Sequence, residues 1–268
     1  MASLKFSVLG SGSAGNSTIL ECGTTRILID AGLSAKQLTL RLAALRIDPA
    51  SLSAILLTHE HGDHTRGLQN FLKKFPIPLY ATRDTAHIVR EQGLPAGDWK
   101  IFQAGQAFPI HHLTIETFSI QHDAVDPVAF IIGNGQNRLG LVSDTGQVTA
   151  AMRTRLHSLC ALFIEANYDD ELLAEDTKRP WSTKQRISSH HGHLSNAQVA
   201  DLLAEIAHPQ MSRIVFGHLS GDCNCPQKVT TLITQRLHQS GHPHIALSCA
   251  TQGQPTPWFE VAAPFRLT

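Results

Sequence analysis

Four side chains of the kind that bind transition metals fall within six positions, His59-x-His61-x-Asp63-His64. They follow directly on residues 54–57, an apolar run that reads as a short buried strand. In an extended segment residues two apart point the same way, so His59 and His61 can grip one ion. Gly62 permits a sharp reversal, after which Asp63 and His64 can face a second. Imidazoles with a carboxylate suit Zn²⁺, Mn²⁺ or Fe, and oxygen ligands tilt the choice toward Mn²⁺. The plain alternative is a solvated polar loop. Ligands this dense at the end of a buried strand argue against it.

Composition narrows the setting. Apolar residues make up 42% of the 268 and can supply a full core, so no disulfide staple is needed. Glycine and proline are ordinary and no charge blocks occur, which excludes disorder, collagen-like repeats and coiled coil. Lys+Arg and Asp+Glu balance at 22 each, which excludes coating nucleic acid by bulk charge. The five cysteines are odd in number and scattered, unlike a secreted disulfide framework. With neither a signal peptide nor a membrane span in the pattern, the expected location is cytoplasmic. Strands are expected over 4–9, 18–21 and 26–30, a helix over 34–45, another over 65–75, and a strand-rich stretch over 101–142. Helices are then read at 149–157, 196–207 and 228–239, with strands at 161–165 and 213–216. Mixed strands and helices without a linker predict a single domain over 1–268.

Thr58-His59-Glu60-His61-Gly62-Asp63-His64 resembles the metal loop of metallo-β-lactamase-fold hydrolases, and Leu28-Ile29-Asp30-Ala31-Gly32 resembles that family's first motif. Further likeness, to the bacterial YycJ/WalJ-like branch, is carried by Gly10-Ser11-Gly12-Ser13-Ala14-Gly15-Asn16-Ser17, Glu165-Ala166-Asn167-Tyr168-Asp169, Gly192-His193-Leu194-Ser195-Asn196 and His218-Leu219-Ser220. The resemblance implies an αββα sandwich, two mixed β-sheets flanked by helices. It implies two divalent metal ions, Zn or Mn with Fe as a third choice. His59, His61 and His122 would hold one, Asp63, His64 and His218 the other, and Asp144 both. Asp30 would brace the loop from behind.

For this branch the implied activity is cleavage of DNA phosphodiesters as a 5′ exonuclease, with DNA as the partner and substrate and no membrane involved. Asp63 and His193 are the candidate catalytic residues. His193 is either a proton donor or phosphate clamp or a histidine that caps the helix starting near Ser195, a place Ser195 itself could take. Asn16 either donates to a phosphate or closes a tight turn. Lys184 and Arg186 belong to Lys178-Arg179-Pro180-Trp181-Ser182-Thr183-Lys184-Gln185-Arg186, a run with four positive charges and no acid, read as a backbone-tracking patch or a solvated helix face. Two other readings stay open at this level. One is an acyl hydrolase, a thioesterase or lactonase, since such metals serve carbonyl and phosphorus alike; the other is a non-catalytic metal-binding regulatory protein.

Overall fold

The computed structural model describes residues 2–93 and 97–263. Its strands build two mixed β-sheets flanked by helices, the architecture that the resemblance implies. The chain divides into two compact units that alternate along the sequence. One contains the chain up to Ser119, Ala124–Gly135 and Ala250–Glu260; the other contains Ile120–Asp123, Gln136–Cys249 and the residues from Val261.

In chain order, the first unit begins with β1 (Leu4–Gly10), β2 (Ser17–Cys22), β3 (Thr25–Ile29), α1 (Ala35–Ala44) and β4 (Ala54–Leu56). It continues through α2 (Gly62–Thr65), α3 (Leu68–Leu72), β5 (Leu79–Thr82), α4 (Arg83–Glu91) and β6 (Trp99–Phe102) to β7 (Ala107–Ile110), β8 (Leu113–Ser119) and β9 (Val128–Gly133). The second unit contributes β10 (Arg138–Val142), α5 (Ala150–Leu156), β11 (Ala161–Glu165), α6 (Asp170–Glu175), α7 (Trp181–Ile187), α8 (Asn196–Ile206), β12 (Arg213–Gly217), α9 (Pro226–Gln239) and β13 (Ala246–Cys249). β14 (Phe259–Glu260) returns to the first unit.

The first unit's seven-stranded sheet runs β14-β1-β2-β3-β4-β5-β6, antiparallel as far as β3 and parallel beyond it. The switch at β3 matters for the site. Because β3 and β4 are parallel with Ile29 opposite Leu56, residues just past each strand leave the sheet at one edge. A core of Leu28, Leu38, Leu42, Ile55, Phe71 and Leu79, with others, fixes that edge in place. α1 joins it because Leu38 and Leu42 lie four apart on one face, and the Ser34 hydroxyl caps its start by accepting from the Gln37 amide.

The single helix expected over 65–75 is instead two short ones, with the first starting earlier, at Gly62. The break has a local cause. The Gly67 amide donates to Ala31, while the Asp63 carbonyl it would use in a continuous helix accepts from Asn16. A Cβ on Gly67 would lie 2.0 Å from the Leu33 carbonyl oxygen, so this turn is pressed onto the segment that follows β3. The strands and helix of 79–102, together with α6, α7, β13 and β14, are elements that the sequence reading did not name.

The second unit is built on four parallel strands in the order β13-β12-β11-β10. β11 is buried at all five positions, the near-continuous apolar pattern of a parallel strand covered on both faces, except that it ends in Glu165. α8 opens with a capping box between Ser195 and Gln198 and buries Val199, Leu202, Leu203 and Ile206. Ser195 is therefore the helix cap, and His193 lies two residues outside it.

Candidate metal centre

The loop after β4 is organised by one buried carboxylate. Asp30, just past β3, accepts from the Thr58 amide (2.8 Å) and the Thr58 hydroxyl (2.8 Å), and lies 2.7 Å from His64 Nδ1. An imidazole whose Nδ1–H is committed to a carboxylate keeps Nε2 as its ligand atom, the usual arrangement behind a metal-binding histidine. His59 and His64 are fully buried, with ring centroids 4.1 Å apart, and the His61 ring lies 4.6 Å from that of His59. The Asp63 carboxylate comes within 3.6 Å of His64 Nε2. Gly32 is required here: a Cβ would sit 1.6 Å from the Asp63 carbonyl oxygen. That close approach lets the segment after β3 lie against the loop.

The second unit gathers a cluster of its own at the C-terminal ends of its strands, where ligands bind in parallel sheets. Asp144 is the second residue past β10, Glu165 ends β11, and His218 directly follows β12. With Glu165 opposite Gly217 in the ladder, the three emerge side by side. His193 joins them from the loop after α7, and one ligand atom from each of Asp144, Glu165, His193 and His218 lies within 4.8 Å of the others. His218 Nδ1 is 3.1 Å from Asp144, and His193 Nδ1 is 2.9 Å from Glu165. His122 packs its ring 5.4 Å from that of His193 and directs Nδ1 at the Gly192 carbonyl (3.1 Å). Burial pushes the His122 imidazole below its ordinary pKa, against the pull of Asp144. The shift favours the neutral imidazole, the form that can bind a metal.

Glu165 is the member of this cluster to which sequence reasoning gave no role. It is wholly buried, accepts from the Thr145 amide (2.5 Å), and faces both His193 and His218. Burial alone would raise its pKa, but His193 and the hydrogen bonds from His193 and His218 outweigh it and hold the carboxyl below the usual range. A signal was available: a lone charge closing an otherwise apolar strand.

Of the predicted substrate contacts, Asn16 lies within the metal-loop network. Its amide nitrogen donates to Asp63 (3.2 Å) and sits 3.1 Å from His64 Nε2, while its carbonyl accepts from the Gly12 amide (2.8 Å). The basic run is not a bare positive patch, because acids meet it, two of them, Asp123 and Asp222, from distant parts of the sequence. Arg186 pairs with Asp123, Arg179 with Asp176 and Asp222, and Lys178 with Asp222. The Lys184 ammonium donates to the Ala174 carbonyl (2.9 Å).

Three of these residues share a backbone feature. Asp30 (φ 59°), Asp144 (φ 56°) and His218 (φ 52°) all adopt the left-handed conformation within two residues of a strand's end. For a residue with a Cβ this costs roughly 1–2 kcal/mol, a cost characteristic of functional sites.

The donor chemistry fits divalent metal. Asp144 and Glu165 are both buried and close together, and two carboxylates in one dry cluster repel unless positive charge joins them. Imidazole nitrogens with carboxylate oxygens are the ligand set of borderline divalent ions. Both clusters are suited to holding metal.

The Beta-lactamase superfamily domain matches residues 25–219. The exodeoxyribonuclease YycJ of Bacillus anthracis is 32% identical over 240 residues, covering 89% of this chain and 90% of that protein. The exodeoxyribonuclease WalJ of Streptococcus pneumoniae is 34% identical over 240 residues, covering 88% and 89%. Among solved structures, the metallo-β-lactamase fold protein YhfI from Bacillus subtilis superposes with a TM-score of 0.70 at 16% identity, covering 95% of this chain and 99% of that one. With its motifs, its two sheets and these relatives in agreement, the chain belongs to the metallo-β-lactamase-fold hydrolases, among the relatives of YycJ and WalJ.

Proposed function

We propose that this protein is a dinuclear metal-dependent phosphodiesterase acting as a DNA 5′ exonuclease. The observation that carries the reading is the similarity to two exodeoxyribonucleases over nearly nine-tenths of the chain, with every ligand position of the family's pattern filled by a suitable residue. In that pattern His59, His61 and His122 hold one ion, Asp63, His64 and His218 hold the other, and Asp144 serves both. Two such ions supply charge stabilisation for the phosphoryl oxygens and a water acidic enough to be a nucleophile at neutral pH.

The remaining steps belong to side chains. Asp63 orients the attacking side of the site. His193 gives its Nε2 proton to the leaving sugar oxygen, and Glu165, against Nδ1, stabilises the imidazolium that does so. Asp30 keeps His64 and Thr58 in register.

The test is protein stripped of metal, reloaded with Mn²⁺ or Zn²⁺, and assayed on 5′-phosphorylated duplex and single-stranded DNA beside a thioester. Metal-dependent release of nucleotides from the 5′ end is expected. Loaded protein that turns over the thioester and no phosphodiester would sink the reading. We also read residues 1–268 as one folding domain, because the two units trade segments along the chain and neither is a contiguous stretch. A cytoplasmic location is in keeping with five free thiols, and no helix among the described residues is long and apolar enough to cross a membrane.

A further inference from the structure

α7 is an anomaly in the second unit. Among its seven residues none is buried, and its first, Trp181, is 71% exposed. Beside it lies a cavity of about 230 Å³ whose floor is Tyr168 and Leu173 and whose rim includes Trp181, Lys184 and Ser188. Pockets for drug-sized ligands run from roughly 300 Å³ upward, so this one suits a single flat group.

The helix is also tied to the strand-end cluster by its other end. The His193 amide donates to Ile187 (2.8 Å), and a Cβ on Gly192 would lie 2.2 Å from the carbonyl oxygens of Arg186 and Ile187. Arg186 pairs with Asp123, the neighbour of His122. Tyr168, three residues past Glu165, bridges by backbone to Ser195, two past His193. Two sides of the cavity, Tyr168 and the C-terminal end of α7, are therefore tied to residues of the cluster.

We propose that Trp181 and this cavity form a base-binding subsite, in which a nucleobase of the strand being cut stacks on the indole over Tyr168 and Leu173. The inference rests on the phosphodiesterase reading and names the part of the substrate that this face contacts. Stacking carries the binding, because the nearby cations are largely committed to Asp123, Asp176 and Asp222. Every base has a π-face, so the subsite takes any sequence, as an exonuclease requires.

Trp181→Ala and Trp181→Phe are compared with the unaltered protein on a 5′-phosphorylated oligonucleotide and on bis-p-nitrophenyl phosphate, which has no base. The ratio of kcat/KM for the oligonucleotide to that for the small diester is expected to fall about ten-fold or more in Trp181→Ala. Trp181→Phe, which keeps a ring, retains most of it. An unchanged ratio, or equal loss on both substrates, overturns the subsite. In parallel, metal-free protein is titrated with the same oligonucleotide while tryptophan fluorescence is followed. Quenching that disappears in Trp181→Phe supports stacking, and equal quenching in both proteins overturns it. This second arm needs no turnover, so it separates failure of the subsite from failure of the phosphodiesterase reading.

Discussion

The loop after β4 and the strand ends of the second unit reach similar chemistry by opposite routes. The loop packs His59, His61, Asp63 and His64 into six consecutive positions and is braced from behind by Asp30, with Asn16 against Asp63 and His64. The strand-end cluster draws Asp144, Glu165, His193 and His218 from across about 75 residues, and three adjacent parallel strands supply its order. Sequence-local sites depend on one bond network, whereas dispersed ones inherit their geometry from the sheet. The first should fail all at once when its brace is lost, the second ligand by ligand.

The sharpest break of that contrast is Asp144→Ala, in the residue assigned to both ions. It is expected to abolish metal-dependent phosphodiesterase activity, at least about a thousand-fold, and to lower bound metal measured by elemental analysis. Full activity would remove Asp144 from the ligand set. Next comes Asp30→Ala, which touches no substrate. It should weaken metal affinity about 10- to 100-fold, read by competition with a chromogenic chelator, because His64 and Thr58 lose their anchor together. Affinity equal to that of the unaltered protein would mean that the loop holds its shape without Asp30.

Glu165→Gln should be milder, lowering kcat by roughly ten-fold with KM nearly unchanged, since the sheet still delivers Asp144 and His218. A loss as deep as that of Asp30→Ala would erase the contrast. The smallest effect serves as a control away from both clusters. Glu21 is held below its usual pKa: burial opposes this, and hydrogen bonds from Lys5 and Arg26 prevail. A depressed carboxylate stabilises the fold above its unfolded pKa, and that contribution fades as pH falls through the folded value. Glu21→Gln should therefore melt slightly lower at pH 7, by about 0–1 kcal/mol of stability for so exposed a network. The gap should close as pH falls through that lowered folded value, beneath the ordinary carboxylate range.

The same contrast decides what could be read without a structure. The metal loop was legible because its information is local: ligand spacing, a glycine, a buried strand. Asp144, His122 and His218 were not, taken singly, since a polar residue at a strand end is ordinary; only their order and likeness to a family marked them. Glu165 carried one local mark, a charge closing an apolar strand, but its partners His193 and His218 are 28 and 53 positions away and only the sheet brings them to it. Asp123 and Asp222, which meet the basic run, were hidden for the same reason. Short elements such as α6 and α7 carry too few residues for a period to show, and the helix expected over 65–75 was split by a backbone contact at Gly67 with residues some thirty positions away.

The left-handed backbone at Asp144 sets activity and heat resistance at odds. Glycine there would adopt the same φ at no steric cost and would also remove one of two crowded buried carboxylates. Metal-free Asp144→Gly should melt above the unaltered protein while being inactive. A screen for thermal tolerance alone would therefore favour the substitution that disarms the molecule.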